Sequence, residues 1–263
     1  MENSSLRKPF QKIETILNKK GTKRKCYICK QTFNYFLPYL GGSKNVSPWF
    51  QKLQEMGSDI DNFYCPYCEC FDRERHLFMY FDKLSLWHRI KGGNVLHFAP
   101  EYHLSKKIES LSPAMYVKAD LFPSDDSIQQ MDATSIPYKE ATFDFLIFNH
   151  ILEHIPDYKK ALAGLYRVLK PNGVAIMQTP FSKLLQRNFE DEGINTDELR
   201  LLYYGQEDHV RIFSERDLLQ GFTDTGFRLN IVPHNTLFSP EDATYYGVNK
   251  DEDLICLIKP SQM

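Results

Sequence analysis

Phe143-Asp144-Phe145-Leu146-Ile147-Phe148-Asn149-His150-Ile151-Leu152-Glu153-His154, followed after ten residues by Leu165-Tyr166-Arg167-Val168-Leu169-Lys170-Pro171-Asn172-Gly173, is the stretch on which the fold turns. Its opening run, Thr142 to Phe148, is short, apolar and aromatic, as a buried strand should be, and it ends abruptly in polar side chains. Tyr158 to Leu169 then has helical periodicity, closed by Lys170-Pro171, and Gly173 to Gln178 reads as the next strand. Strand, helix and strand in succession imply neighbouring parallel strands with the helix packed on one face.

Working outward, the alternation continues in both directions. Upstream lie Asn94 to Phe98 (strand), Tyr102 to Leu111 (helix), Met115 to Ala119 (strand) and Ser127 to Met131 (short strand). Downstream come Glu215 to Thr225 (helix), Phe227 to Pro233 (strand) and Asp253 to Ile258 (strand). No helix is read between the last two strands, so one of them is expected to turn back. The fold class expected is α/β, with a seven-stranded Rossmann-like sheet and an antiparallel edge hairpin. Ligands of such sheets bind beyond the carboxyl ends of the strands. Phe71 to Ile90 has apolar residues at helical spacing and stops at Lys91-Gly92-Gly93, which makes it a linking helix. The division expected is residues 1–69 as an N-terminal module and 70–263 as the α/β domain, with 71–91 as the link and an irregular insertion over 181–214.

At 263 residues the chain has room for one such domain and a small appendage, and 42% hydrophobic residues are ample for its core. The formal net charge of -2 argues against a surface that is basic throughout. Charge is nonetheless uneven: Arg7, Lys8, Lys12, Lys19, Lys20, Lys23, Arg24, Lys25 and Lys30 face only Glu2 and Glu14 in the first thirty residues. That run is either a solvated flank or a patch for an anionic partner. No apolar run reaches the ~20 residues of a membrane span, and Met1 to Lys25 lacks the apolar segment of a secretory signal, so a cytoplasmic location is expected.

Cys26-Tyr27-Ile28-Cys29 and Cys65-Pro66-Tyr67-Cys68 form two C-x-x-C pairs across a spacer of 35 residues. Two residues between cysteines let a tight knuckle point both thiolates at one ion, and two knuckles make a closed tetrahedral zinc site. Cys26, Cys29, Cys65 and Cys68 are the expected ligands of a structural Zn2+, with Cys70 as an alternative to Cys68. Arg73, Arg75 and His76, just beyond, are expected to pack this zinc module on the domain through ion pairs, or else to touch an anionic substrate.

The order of motifs over Gly93 to Pro180 resembles the class I S-adenosylmethionine-dependent methyltransferases, and in particular their type 11 group. Three features carry it: Lys118-Ala119-Asp120-Leu121 about twenty residues after the first strand, Met131-Asp132-Ala133 before Ile136-Pro137-Tyr138, and the quoted stretch itself, which resembles "VLEH" followed by "RVLKPGG". The resemblance implies that Asp120 takes the ribose hydroxyls of S-adenosylmethionine, with Leu121 beside it, and that Asp132 and Ala133 hold the adenine, with Asn149 nearby. The family's glycine-rich loop is replaced here by His97-Phe98-Ala99-Pro100-Glu101, which resembles a variant subgroup carrying "LHFAPE". In it small Ala99 and rigid Pro100 shape the turn, and Glu101 meets the cofactor's ammonium group.

Catalytic candidates cluster just past the fourth strand. His150, Glu153 and His154, at i, i+3 and i+4, share one face of any helical turn there. Three readings stand. His150 or His154 is a general base with Glu153 structural. Or the trio binds a second divalent ion, similar to the Glu-x-x-Glu-His site of ubiquinone-pathway and small-RNA O-methyltransferases, with His150 in the first place favouring a softer metal. Or it is the His-x-x-Glu-His of a metalloprotease, which the preceding strand and Pro156 disfavour. In the insertion, Gly205-Gln206-Glu207-Asp208-His209-Val210-Arg211 resembles the subgroup's "GQxDHVR", which places His209 and Arg211 toward the acceptor or the cofactor carboxylate. The acceptor expected is a small molecule, glycan or peptide, methylated on oxygen. An RNA acceptor using the basic N-terminus and a non-catalytic zinc-organised scaffold are the alternatives.

Overall fold

The computed structural model describes residues 18–261. Arg7, Lys8 and Lys12 of the basic run lie outside them. A seven-stranded sheet forms the centre: β1 (Asn94–Phe98), β2 (Met115–Asp120), β3 (Gln129–Gln130), β4 (Phe143–Phe148), β5 (Leu169–Ile176), β6 (Arg228–Val232) and β7 (Leu254–Ile258), in spatial order β6-β7-β5-β4-β1-β2-β3. Only β7 runs against its neighbours, lying antiparallel to both β5 and β6. The strand order reverses at β1, which lies parallel between β4 and β2 with Phe98 level with Ala119 on one side and Phe148 on the other.

Strand periodicity sorts the core into two layers. Leu96, Phe98, Leu146, Phe148 and Ala175 face α5 (Tyr158–Val168) and α7 (Glu215–Thr225), packing on Leu162, Leu165, Leu218 and Phe222. Their neighbours Val95, Phe145, Ile147, Val174 and Ile176 face the other way, onto Leu77, Phe81, Leu104 and Ile108 of α2 (Asp72–Lys83) and α4 (Tyr102–Ser110). This two-residue alternation is what a sheet buried on both faces requires.

Three elements differ from expectation. The linking helix breaks: α2 ends at Lys83, Ser85 takes φ +55°, and α3 (Trp87–Ile90) starts in a new direction that brings Trp87 edge-on to Phe81 at 4.8 Å. β5 begins at Leu169, because Pro171 forbids more helix and Leu169 pairs with Phe143 before an irregularity in register. A helix, α8 (Pro240–Tyr246), does lie between β6 and β7, capped by Ser239 and Asp242 and ended by Gly247 at φ +62°. The antiparallel edge holds even so, because α8 packs against the N-terminal strand Arg24–Lys25 instead of crossing the sheet.

The N-terminal segment is woven into the domain. Glu55–Met56 pairs with Phe181–Ser182, which pairs with Phe213–Ser214, giving a second, three-stranded sheet. Helix α1 (Pro48–Lys52) packs on α6 (Asp197–Tyr204), a helix inside the segment expected to be irregular. Among the described residues no helix is long and apolar enough to cross a membrane.

Candidate active site

The ends of β1, β2 and β4 bring together most of the residues expected to hold the cofactor. Asp120 closes β2 and accepts the Phe122 amide at 2.8 Å, leaving its second oxygen free of that bond. Asp132 accepts from the Thr134 amide at 2.7 Å at the exposed start of the next turn, beside buried Ala133. Ala99, immediately after β1, sits at φ +44° with its amide bonded to the Ala119 carbonyl at 2.8 Å. That is the left-handed conformation glycine would take without strain, so the turn expected of a glycine-rich loop is made here by alanine. Pro100 follows, and Glu101 opens α4.

His97 departs from expectation. Its ring is fully buried, with Nε2 2.6 Å from Glu101 Oε2 and Nδ1 2.9 Å from the Tyr116 hydroxyl, so its side chain orients Glu101 and is itself closed to a ligand. Burial pushes the Glu101 carboxyl upward, but the His97 hydrogen bond, together with the charges of His97 and Arg73, outweighs this and holds it below the usual carboxylate range. Asn149 donates to Glu101 Oε1 at 3.3 Å and accepts the Gln178 amide at 3.1 Å. Glu101 is thus a fixed anion at the sheet edge, suited to an ammonium group.

Beyond the ends of β4 and β5 opens a cavity of about 660 Å³. His150, Glu153, His154 and His209 line it together with Tyr39, Phe50, Glu55, Tyr64, Phe71, Arg73 and Tyr204. His150 adopts φ +54° and its amide donates to the Gln178 carbonyl at 2.7 Å. Leu152–His154 is a single tight turn. His150 Nδ1 lies 3.8 Å and His154 Nε2 3.9 Å from Glu153 Oε1, whereas His150 Nε2 and Glu153 Oε2 are buried with no partner. The donors that converge most closely are Glu153, His154 and His209, whose ligand atoms all lie within 4.8 Å of one another. His209 comes from the insertion, and its ring meets that of His154 edge-on at 4.7 Å.

Electrostatics divides these groups. Burial drives the Glu153 carboxyl up to about 7 and holds His150 well below the ordinary histidine value. Burial likewise brings His209 down to about 4. His154 is raised: burial works against its charge, but its pairing with Asp208 (Nδ1 to Oδ2, 3.2 Å) and the neighbouring Glu153 carboxylate together prevail. Burial raises Glu55 well above its ordinary range.

Arg211 does not reach the cavity. Its guanidinium is buried, donates to the carbonyls of Leu152, Ile155 and Pro156 and pairs with Glu190 at 2.8 Å, so it braces the His150 to Pro156 loop from behind. Arg75 and His76 are structural, but through other partners than ion pairs to the module. Arg75 is fully buried and donates to the carbonyls of Asn62, Phe63, Cys70, Tyr246 and Gly247. His76 sits between Glu252 (3.2 Å) and His234 (2.8 Å). The aromatic wall of Tyr39, Phe50, Tyr64 and Phe71 was not legible beforehand, since sequence gives no sign that these loops fold over the sheet.

The cysteines converge as their spacing requires. The Sγ atoms of Cys26, Cys29, Cys65 and Cys68 all lie within 4.8 Å of one another, with Cys26 to Cys68 and Cys29 to Cys65 both 3.8 Å. A tetrahedral ion with metal–sulfur bonds of ~2.3 Å has edges of about 3.8 Å. The two knuckles match: Lys30 and Glu69, each four residues after its first cysteine, take φ +63° and +60° and donate to the carbonyls of Cys26 and Cys65 at 3.0 Å. Amides of Cys29 and Tyr67 point at Cys26 and Cys65 sulfurs, both at 3.4 Å. Cys70 is not one of the four that converge mutually, but its Sγ lies 3.4 Å from that of Cys26, and its carbonyl is held by Arg75.

A mostly parallel central sheet in this order, with an antiparallel strand near one edge, is the α/β Rossmann-like methyltransferase fold. The family model described as "Methyltransferase domain" matches residues 48–230, and the chain belongs to that family. Among curated relatives, norajmaline N-methyltransferase from Rauvolfia serpentina is 27% identical over 117 residues, covering 42% of this chain and 39% of that protein. The demethylmenaquinone methyltransferase of Lactobacillus johnsonii is 26% identical over 137 residues, 47% of this chain and 54% of its own length. The matches therefore span about two fifths to one half of these relatives. Among solved structures, an S-adenosylmethionine-dependent methyltransferase from Mesorhizobium loti superposes with TM-score 0.50 at 12% identity, over 68% of this chain and 97% of that one, a likeness of fold.

Proposed function

We propose that the chain transfers a methyl group from S-adenosylmethionine to an oxygen of a compact acceptor, a small molecule, glycan or peptide unit, bound in the cavity beyond β4 and β5. The observation that carries this is the step from Asn149, which donates to Glu101 at the sheet edge, to the next residue, His150, which lines a cavity walled by aromatic rings and by Glu153, His154 and His209. The cofactor supplies an electrophilic methyl on sulfur. Asp120 is suited to its ribose hydroxyls, Glu101 to its ammonium, and Asp132 with Ala133 to its adenine. His150 is assigned the acceptor's proton, because its Nε2 has no protein partner and burial keeps the ring neutral. Positioning in the walled cavity does most of the work, as methyl transfer needs an in-line approach.

In the same reading Cys26, Cys29, Cys65 and Cys68 hold a structural Zn2+, and the "LHFAPE" turn is a glycine-free form of the cofactor loop. The cavity's aromatic wall suits an acceptor with ring or other apolar surface. RNA is the weaker acceptor, because a chain of formal net charge -2 does not offer a broadly basic surface to phosphates. Retention on heparin that falls steeply with salt would restore it.

The test is calorimetric titration of the zinc-replete protein with S-adenosylhomocysteine. Micromolar binding, abolished in Asp120→Ala, is expected. Absence of binding to the unaltered protein overturns the proposal in favour of a non-catalytic scaffold.

A further inference from the structure

Glu153, His154 and His209 have the preparation that metal-ligating side chains need. An imidazole offered to a metal commonly donates its other ring N–H to a carboxylate or a backbone carbonyl, which fixes the tautomer and aims the lone pair. His209 does so, and the same ring nitrogen of His154 is ion-paired with a carboxylate. His154 Nδ1 lies 3.2 Å from Asp208 Oδ2, which turns Nε2 toward Glu153. His209 Nδ1 lies 3.1 Å from the Tyr204 carbonyl, which leaves its Nε2 as the free acceptor. Glu153 is 2% exposed, and its Oε2 has no hydrogen-bond partner, an arrangement that is costly unless something else satisfies it. The three ligand atoms fit within a 4.8 Å span, and all three residues line the cavity.

We propose that Glu153, His154 and His209 bind a divalent transition-metal ion in the cavity, with Asp208 and the Tyr204 carbonyl as the groups that orient its imidazoles. Two imidazoles and one carboxylate are the donor set of borderline ions such as Mn2+, Fe2+, Co2+ or Zn2+, whereas Mg2+ prefers oxygen throughout. Three protein donors leave coordination positions open toward the cavity, where an acceptor oxygen can bind. His150 stays out of the set as the free imidazole. The ion joins the β4 loop, through Glu153 and His154, to the insertion, through His209, so its binding fastens the wall of the cavity. Only the binding of an acceptor oxygen rests on the cavity being the acceptor pocket.

Mn2+ is the probe, because it competes poorly for thiolates and leaves zinc at the cysteines undisturbed. The full-length zinc-replete chain is titrated with Mn2+ and the free ion is followed by its paramagnetic resonance signal. One saturable site per chain is expected. Glu153→Gln and His209→Asn should each weaken it by more than tenfold, and Asp208→Asn by roughly 10-fold, as loss of an orienting partner does. No saturable binding, or binding unchanged in Glu153→Gln and His209→Asn, overturns the inference. S-adenosylhomocysteine titration of the same samples confirms that the variants are folded. It also separates the two proposals: cofactor binding without Mn2+ binding sinks this site alone, and Mn2+ binding without cofactor binding sinks the methyl-transfer reading alone.

Discussion

Replacing Ala99 by glycine should stabilise the protein. Ala99 holds φ +44° one residue beyond β1. A left-handed conformation costs a residue with a Cβ roughly 1–2 kcal/mol, while glycine's extra freedom in the unfolded chain costs ~0.5–1 kcal/mol. The net expectation for Ala99→Gly is a gain of up to ~1 kcal/mol, or about 2–4 °C in Tm for a chain of this size. The side chain of Ala99 is exposed, so removing its methyl opens no cavity to offset the gain. Ala99→Val is the counterpart: branching at Cβ makes a positive φ a steric outlier, and a loss of more than ~1 kcal/mol is expected. Scanning calorimetry of the three proteins, with and without S-adenosylhomocysteine, measures both. A glycine variant destabilised by more than ~1 kcal/mol, or a valine variant melting with the parent, would refute the reasoning, because either would mean that the backbone of this turn is not what Ala99 strains.

Four further outcomes are expected. Arg75→Lys should cost roughly 2–3 kcal/mol in denaturant unfolding, because one ammonium cannot serve five carbonyls, those of Phe63, Cys70 and Gly247 in buried bonds, and each buried acceptor left orphaned costs ~1–3 kcal/mol; a variant as stable as the parent would remove Arg75 as the tie between the N-terminal segment and the domain. Cys65→Ser should lower bound zinc to well below one ion per chain and depress Tm, while Cys256→Ser leaves zinc content unchanged; equal zinc in the two would refute the four-cysteine assignment. Burial raises the Asp72 carboxyl to about 7, so the folded state holds its proton where the unfolded state has released it, and this contribution is lost as pH rises from about 4 through about 7. Asp72→Asn should therefore gain on the parent across that interval and hold a constant lead above it; a pH-independent difference in urea unfolding would contradict the shift. His154→Ala should lower turnover of any acceptor found while S-adenosylhomocysteine affinity stays within about twofold, since His154 belongs to the cavity and not to the cofactor edge.

The central sheet was readable because its strands are short apolar runs punctuated by Gly and Pro, and β1, α4 and α7 fall within a residue of where periodicity puts them. What was missed has physical causes. α8 carries a readable signature, Ser239-Pro240 with Asp242 and then Gly247, but at seven residues it has too few turns for periodicity to register. The break at Ser85 left no trace, because serine does not advertise a positive φ. Asn172, at φ +61° where the resembling motif has glycine, could have been foreseen, as asparagine tolerates that region best after glycine.

The site was legible in proportion to how local it is. Both cysteine knuckles are set by four-residue segments, and the 35-residue spacer only has to bring them together. His150, Glu153 and His154 were visible for the same reason. Arg211 misled because a guanidinium two residues from a cavity histidine is as able to brace the loop behind it as to face the ligand, and only burial among the carbonyls of Leu152, Ile155 and Pro156 decides between them.

The division of labour in the cavity follows from where its walls originate. The edge proposed for the cofactor is made mainly by residues at the ends of β1, β2 and β4, elements locked into the sheet by their neighbours, with Asp132 and Ala133 following β3. The opposite wall is borrowed: Tyr39, Phe50, Glu55 and Tyr64 come from the N-terminal segment, and Tyr204 and His209 from the insertion. Those two segments are fastened to each other by the strand pairs Glu55–Met56 with Phe181–Ser182 and Phe181–Ser182 with Phe213–Ser214, and by α1 on α6. The cysteine cluster anchors the far end of the N-terminal segment, and Arg75 pins it to α2 and α8. The cluster also touches the sheet edge directly, because the Cys68 carbonyl lies 2.9 Å from His103 Nε2 on α4, two residues past Glu101, so loosening it should weaken acceptor recognition and S-adenosylhomocysteine binding together, which calorimetric titration of Cys65→Ser would measure.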